Sequence, residues 1–205
     1  MKTKLITIIA SLIAVAASNA MTVSFSNSNG SFSNVLAVST SSGATIADGS
    51  GLAAVGFFSD EAAVATGDFS SWVQFGTGSA MGDGAAGDAP SVFIASESIT
   101  VTSGDTFDGQ SLFLYVSFNN EHLVAKSDSV TFTFDNPVSA GEIALQDGGF
   151  SYLYGGASGP DVDLSGSGNF IVSSVQLQAV PEPSTFAALA GLCALGAVMV
   201  RRRRA

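Results

Sequence analysis

Ser111-Leu112-Phe113-Leu114-Tyr115-Val116-Ser117-Phe118 is the stretch that decides the fold. Leu112, Leu114, Val116 and Phe118 fall on every second position, the period of a pleated strand rather than a helix. The residues themselves are aromatic and apolar types that suit a sheet. The same alternation extends outward on both sides. On the amino side, Val23 and Phe25 alternate with Thr22 and Ser24, and Asn29-Gly30 predicts a hairpin turn into residues 32–38. Residues 52–58 form a nearly continuous apolar run, which reads as a buried strand, and Ile99 and Val101 alternate with Thr100 and Thr102 at the end of a strand beginning near Ser91. On the carboxyl side, Val130, Phe132 and Phe134 alternate with Ser129, Thr131 and Thr133. Ile143 and Leu145 lead into Asp147-Gly148-Gly149, a turn signal from which residues 150–154 return, and Ile171, Val175 and Leu177 are expected to share one face of a last strand.

About ten short strands punctuated by Gly, Asn and Asp predict an all-β fold, an antiparallel β-sandwich of jelly-roll-like type over residues 21–179. Fourteen of the 15 phenylalanines lie in that interval and would fill the space between two sheets. The single cysteine, Cys193, lies outside it, so no disulfide can staple the domain and a hydrophobic core must hold it. Helix is scarce. Ser59-Asp60-Glu61 followed by residues 62–65 predicts one short helix ended by Gly67, and the spacing of Phe69, Trp72 and Val73 suggests a second turn. Residues 76–90, mostly Gly, Ala, Ser and Asp, read as a loop.

The two ends are of a different kind. Val180-Pro181-Glu182-Pro183-Ser184 is followed by an almost uninterrupted apolar run over 185–200 and then by Arg201, Arg202, Arg203 and Arg204. Such a run closed by arginines reads as a transmembrane helix with its end in the cytoplasm, since guanidinium groups are costly to carry across a bilayer. Its length of about 24 Å is short for a hydrocarbon layer of about 30 Å, which suits a temporary stop. The prolines hold the segment before it extended, a form that a protease or transpeptidase can enter. At the other end Lys2 and Lys4 precede an apolar stretch over 5–17 and the small-x-small site Ser18-Asn19-Ala20. This predicts a signal peptide over 1–20, removed by signal peptidase between Ala20 and Met21.

The Pro-Glu-Pro segment, apolar run and arginine cluster over residues 180–205 resemble the PEP-CTERM sorting signal of Gram-negative bacteria. The resemblance implies processing near the motif by an exosortase, a membrane-embedded cysteine-dependent enzyme. It also implies transient attachment to the inner membrane, then a cell-surface or secreted product tied to exopolysaccharide and the biofilm matrix. It implies nothing about residues 21–179.

Six of the seven basic residues sit in the terminal segments, leaving Lys126 alone against all 17 acids between Met21 and Pro183, a formal charge near minus 16. A surface of that sign repels nucleic acid, which is excluded as a partner, and attracts divalent cations or basic partners. No catalytic residue is assigned. Nucleophilic triads need a histidine base, and His122, the only histidine, reads as an exposed residue of an Asn119-Asn120-Glu121-His122 turn. Zinc lacks its His and Cys ligands. Calcium is the one candidate cofactor. Asp161, Asp163 and Ser165 stand at positions one, three and five of an EF-type loop with Gly166 at six, but position twelve is Val172 in place of Glu. An edge strand with its aspartates outward accounts for the same residues, and Asp83 and Asp88 are equally ambiguous. Three readings of the domain follow: a non-catalytic surface or matrix protein, a carbohydrate-binding module stacking sugars on Trp72, Tyr115, Tyr152 and Tyr154, and a carboxylate-dependent glycoside hydrolase.

Overall fold

The structure, a computed structural model, describes residues 18–29, 33–82, 89–102, 106–132, 142–165, 168, 170–181 and 193. Residues 1–17, Gly30, Phe32, Asp83, Asp88, Phe134, Gly166, Glu182, Pro183, Ser184, the apolar run 185–200 apart from Cys193, and Arg201 to Arg204 lie outside them. Among the described residues no helix is long and apolar enough to cross a membrane.

Alternation produces the expected sheets. In chain order the elements are β1 (Ser18–Ser26), β2 (Ala37–Ser39), β3 (Leu52–Phe58), α1 (Glu61–Val64), β4 (Trp72–Ser79), β5 (Ile94–Thr102), β6 (Ser111–Phe118) and β7 (Glu121–Thr131). They continue with β8 (Glu142–Ala144), β9 (Phe150–Tyr154), β10 (Ala157–Ser158), β11 (Val162–Asp163), β12 (Ile171–Val172), β13 (Ser174–Gln176) and β14 (Gln178–Ala179). The largest sheet runs β14-β7-β6-β3-β4, with β9 also on β7. Smaller sheets are β5-β1-β8, β10-β13-β2 and the hairpin β11-β12.

One core joins the three larger sheets into a β-sandwich, and a second small cluster of Ala37, Val92, Val162 and Leu164 seats the β11-β12 hairpin. Val23 and Phe25 of β1 enter the same buried cluster as Val55, Phe57, Phe75, Leu114, Val116 and Leu123 of the large sheet. Phe57, Phe75, Phe107 and Phe132 meet ring to ring at 5.3 to 5.5 Å, so phenylalanine does fill the interior. β6 sits in the middle of its sheet, and its second face is covered too. Phe113 is buried as well as Leu112, Leu114 and Val116, because Phe58 of β3 and the Lys126 side chain lie against its ring while Phe69, in the loop after α1, lies against Tyr115 on the same strand. Asp60 caps α1 by accepting from the Ala63 N–H, and Gly67, at φ +81°, closes the turn after it through its N–H to the Val64 carbonyl.

Several expectations are corrected. Asn29 does close a small loop, through its N–H to the Asn34 carbonyl and a bridge between Ser28 and Val35. The chain then diverges, however, and β2 pairs in parallel with β13. The turn after Leu145 likewise joins strands of different sheets, since β8 pairs with β1 and β9 with β7. β5 begins at Ile94 rather than Ser91. Trp72 and Val73 start β4 instead of extending a helix, and β4 runs on through Gly76 and Gly78 to Ser79. No alternation marks that part of β4; the Glu97 carboxylate of β5 holds it, accepting from the Gly78 N–H and the Thr77 hydroxyl. The last strand is broken into β12, β13 and β14, with Val175 and Leu177 buried but Ile171 60% exposed. His122 lies in β7, half-buried; the turn is only Asn119-Asn120, where Asn119 takes φ 53°.

Gly56 shows how tightly β3 and β4 approach. A Cβ there would stand 2.2 Å from the Val73 carbonyl oxygen and 2.8 Å from the Trp72 ring, so the indole lies where a side chain would be. Gly56→Ala is expected to destabilise the domain by about 3 kcal/mol, read as a lower urea midpoint with unchanged slope.

Candidate functional site

The most distinctive local construction lies at the end of the described fold. The first residues of β7 are paired on both edges, Glu121 with Phe118 and Ala179, and His122 with Ser117 and Gln178. β14 is thereby laid against the start of β7, and each residue from Leu177 to Val180 is tied down. Leu177 is 1% exposed and donates its N–H to the Ser39 carbonyl. The Gln178 side-chain oxygen accepts from the Gly155 N–H, and the Tyr154 hydroxyl donates to the Ala179 carbonyl at 2.9 Å. Val180 is gripped twice by one residue. Its N–H donates to the Asn120 carbonyl at 3.1 Å, and the Asn120 Nδ2 donates to its carbonyl at 3.2 Å. A Cβ on Gly67 would stand 3.4 Å from Val180 Cγ1 and 3.3 Å from the Tyr154 hydroxyl, so the end of α1 closes over the same point. Pro181 then emerges exposed. At the rim the Glu121 carboxylate accepts from the backbone N–H and hydroxyl of Ser41.

An aromatic cluster supports this exit. Phe69 lies 4.6 Å from His122, 5.1 Å from Tyr154 and 5.4 Å from Tyr115, centroid to centroid. Tyr115 and His122 stack at 5.5 Å with planes 4° apart, and the Tyr115 hydroxyl lies 2.7 Å from His122 Nδ1. Burial pushes the Tyr115 hydroxyl up to about 12 and holds His122 below its ordinary value. The tyrosine therefore keeps its proton at neutral pH, and its hydroxyl shares one hydrogen bond with the neutral imidazole, whose tautomer sets which of the two donates.

The aromatics expected to stack sugars are spent differently. Trp72 and Tyr115 pack on Phe58 at 4.8 and 6.1 Å, Tyr154 is buried, and the buried Trp72 Nε1 has no hydrogen-bond partner among the described residues. Tyr152 pairs with Ala125 and Tyr154 with Val124, adjacent positions whose side chains point to opposite faces of the sheet. Tyr152 packs on Phe150, and a Cβ on Gly156 would fall within its ring. The four rings therefore do not form one platform.

Asp161, Asp163 and Ser165 lie on the β11-β12 hairpin. Val162 pairs with Val172 and Asp163 with Ile171, which sets positions two and three of the supposed loop antiparallel to positions twelve and eleven. Asp163 Oδ1 accepts from the Ser165 hydroxyl and N–H, and Oδ2 from the Gly168 N–H; these bonds, the hydroxyl's first, hold its carboxyl below the usual range. Asp161 accepts from the Ser173 hydroxyl at 3.4 Å. Val162 and Leu164 are buried between these aspartates, the alternation of an edge strand. Among the described residues no three His, Cys, Asp or Glu side chains converge as a metal set. Ala20 and Met21 both lie in β1, opposite Thr100 and Ile99.

Sequence reasoning passed over one further feature, an open groove of about 540 Å³ on the outer face of β7 and β9. Glu61, Lys126, Asp128, Ser129, Thr131 and Ser151 are among the residues that line it. Lys126 pairs with Glu61 at 2.7 Å and lies 5.6 Å from the Phe113 ring centre. Its signal was the lone lysine of the acidic interval.

A domain whose last strand hands a proline segment to an apolar, arginine-ended tail has the make-up of a sorted, exported cargo. Residues 179–204 match the family model of the PEP-CTERM protein-sorting motif, which begins at the second residue of β14. No curated protein and no solved structure matches the chain. The chain thus carries an exosortase sorting signal, and with it export and membrane anchoring before that enzyme cuts.

Because the folded value of His122 is depressed, the unfolded chain binds more protons between that value and about 6.5, and stability drops as pH falls through this window. Replacing His122 by glutamine removes the titration. The melting-temperature advantage of the wild type over His122→Gln is expected to shrink between pH 7.5 and pH 5.

Proposed function

We propose that the chain is a non-catalytic, acidic β module delivered by its tail to the cell surface or extracellular matrix, where it associates with exopolysaccharide in the biofilm. The observation that carries this reading is the coincidence of the sorting motif with the end of the fold: the motif starts where β14 completes the sheet. The absence of a catalytic role is supported by His122, whose Nδ1 is occupied by a tyrosine hydroxyl that is hard to ionise. Signal peptidase cleavage between Ala20 and Met21 is compatible with the fold. It removes three residues from β1 and leaves the pairs from Met21–Ile99 to Ser26–Ile94, along with the Thr22–Ser98 and Ser24–Ser96 hydroxyl bonds.

A second reading, saccharide binding, is favoured by the groove beside β7, where hydroxyls flank the Lys126 and Asp128 charges and Ser151 donates to Asp128 at 2.8 Å. Hydroxyl-rich ligands are met by such alternating donors and acceptors. Binding on a glycan array that Asp128→Ala abolishes would establish it, and array signals at background would reject it.

The main reading is tested by intact-mass measurement of the mature protein from cells and medium. The expected species begins at Met21 and lacks Arg201 to Arg204. Recovery of the chain from cytosol with both ends intact would overturn it.

A further inference from the structure

Tyr154 and Asn120 lie far from the sorting motif in sequence, yet their side chains bond its first two residues, Ala179 and Val180. We infer that Asn120 and Tyr154 are positioning residues for processing. They bond the backbone of exposed Ala179 and half-buried Val180 to the folded domain, so that the exosortase cut falls at or beyond Pro181 and the mature carboxyl end retains β14 whole. The inference rests on the sorting reading above.

A cleaving enzyme that takes an extended substrate needs that substrate's backbone N–H and carbonyl groups free to pair with its own. Just upstream of Pro181 three of them are taken. The Ala179 carbonyl accepts from Tyr154, and the Val180 N–H and carbonyl are both bonded to Asn120. β14 is in register with His122 and Glu121, and Val180 packs against the core beside Gly67. Pro181 is the first exposed position after this grip. Slack cannot be borrowed from the other side either. Pro181 and Thr185, where the apolar run starts, are four residues apart and span at most about 14 Å. The enzyme therefore meets a substrate whose departure point is fixed on β7, and to reach further upstream it must peel β14 from the sheet.

Intact-mass measurement of the product in exosortase-containing host cells tests this with the full chain. Wild type is expected to end at Pro181 or within residues 182–184. Asn120→Ala with Tyr154→Phe is expected to add products ending within 177–180, raising their share at least tenfold. Tyr154→Phe alone, which keeps the ring and removes only the hydroxyl with its bonds to Ala179 and Gln178, serves where the double variant does not fold and should shift the ends in the same direction. A wild-type end at Val180 or earlier, or the same single end in wild type and variants, would overturn the inference. Digestion of the purified, detergent-solubilised full chain with proteinase K reads the grip without the exosortase. Wild type should be trimmed no further than Pro181 and the double variant to about Leu177, and equal trimming would again overturn the inference. A cell product that keeps Arg201 to Arg204 in every variant, with unequal trimming by proteinase K, would instead sink the sorting reading and leave the grip standing.

Discussion

β7 is hydrogen-bonded along both edges, and much of the domain follows from how its second edge is shared. One side belongs to β6, over residues 121–126 and again at Thr131 after a register shift. The other is divided, with β14 against Glu121 and His122 and β9 against residues 124–127. An uncovered edge of this length would offer a row of free backbone groups to another chain. Covering it with two short pieces brings residues 150–154 and 178–179 to the same strand. That is how Tyr154 and Asn120 come to meet the last turn of the fold, and how the sorting signal acquires a fixed seat.

Where burial alone determined structure, the sequence was easy to read. β3 and β6 are apolar enough that no partner is needed to predict them, and Asp60 with Gly67 marks the ends of α1 by local chemistry. The features that were hidden depend on partners distant in the chain. β4 beyond Phe75 has no alternating pattern, and its Gly-rich run is a strand because Glu97 and β3 hold it there. His122 looked like a loop residue since Asn119 and Asn120 dominate its neighbourhood; its burial is supplied by Phe69, over 50 positions away. The aspartates on the β11-β12 hairpin fit an edge strand and, except at position twelve, a calcium loop at the level of spacing, and the pairing of Val162 with Val172 is a contact that spacing does not reveal. The sorting motif was legible from its order of parts, whereas the grip on Val180 was not, because neither Asn120 nor Tyr154 carries a local mark of it.

The charge distribution adds a second constraint. In an interval near minus 16 the one cation, Lys126, is bonded to Glu61 and lies near the Phe113 ring. A half-exposed pair of this kind adds little stability. It does hold α1 over the outer face of the large sheet, at the border between the aromatic cluster and the polar groove. Acidic surface elsewhere keeps copies apart, so a domain without disulfides relies on its phenylalanine interior for cohesion.

The parallel pairing of β2 with β13 joins segments about 135 positions apart, as the Ser39–Ser174 hydroxyl bond records. Native contacts of such long range slow folding, and an unfinished sheet is prone to self-association. For a polypeptide threaded amino end first through a membrane, these partners cannot meet until almost everything has crossed. At that moment the greasy tail is what remains to lodge in the bilayer. An anchor cut only after the last strands close would hold each molecule at its own spot through that vulnerable interval.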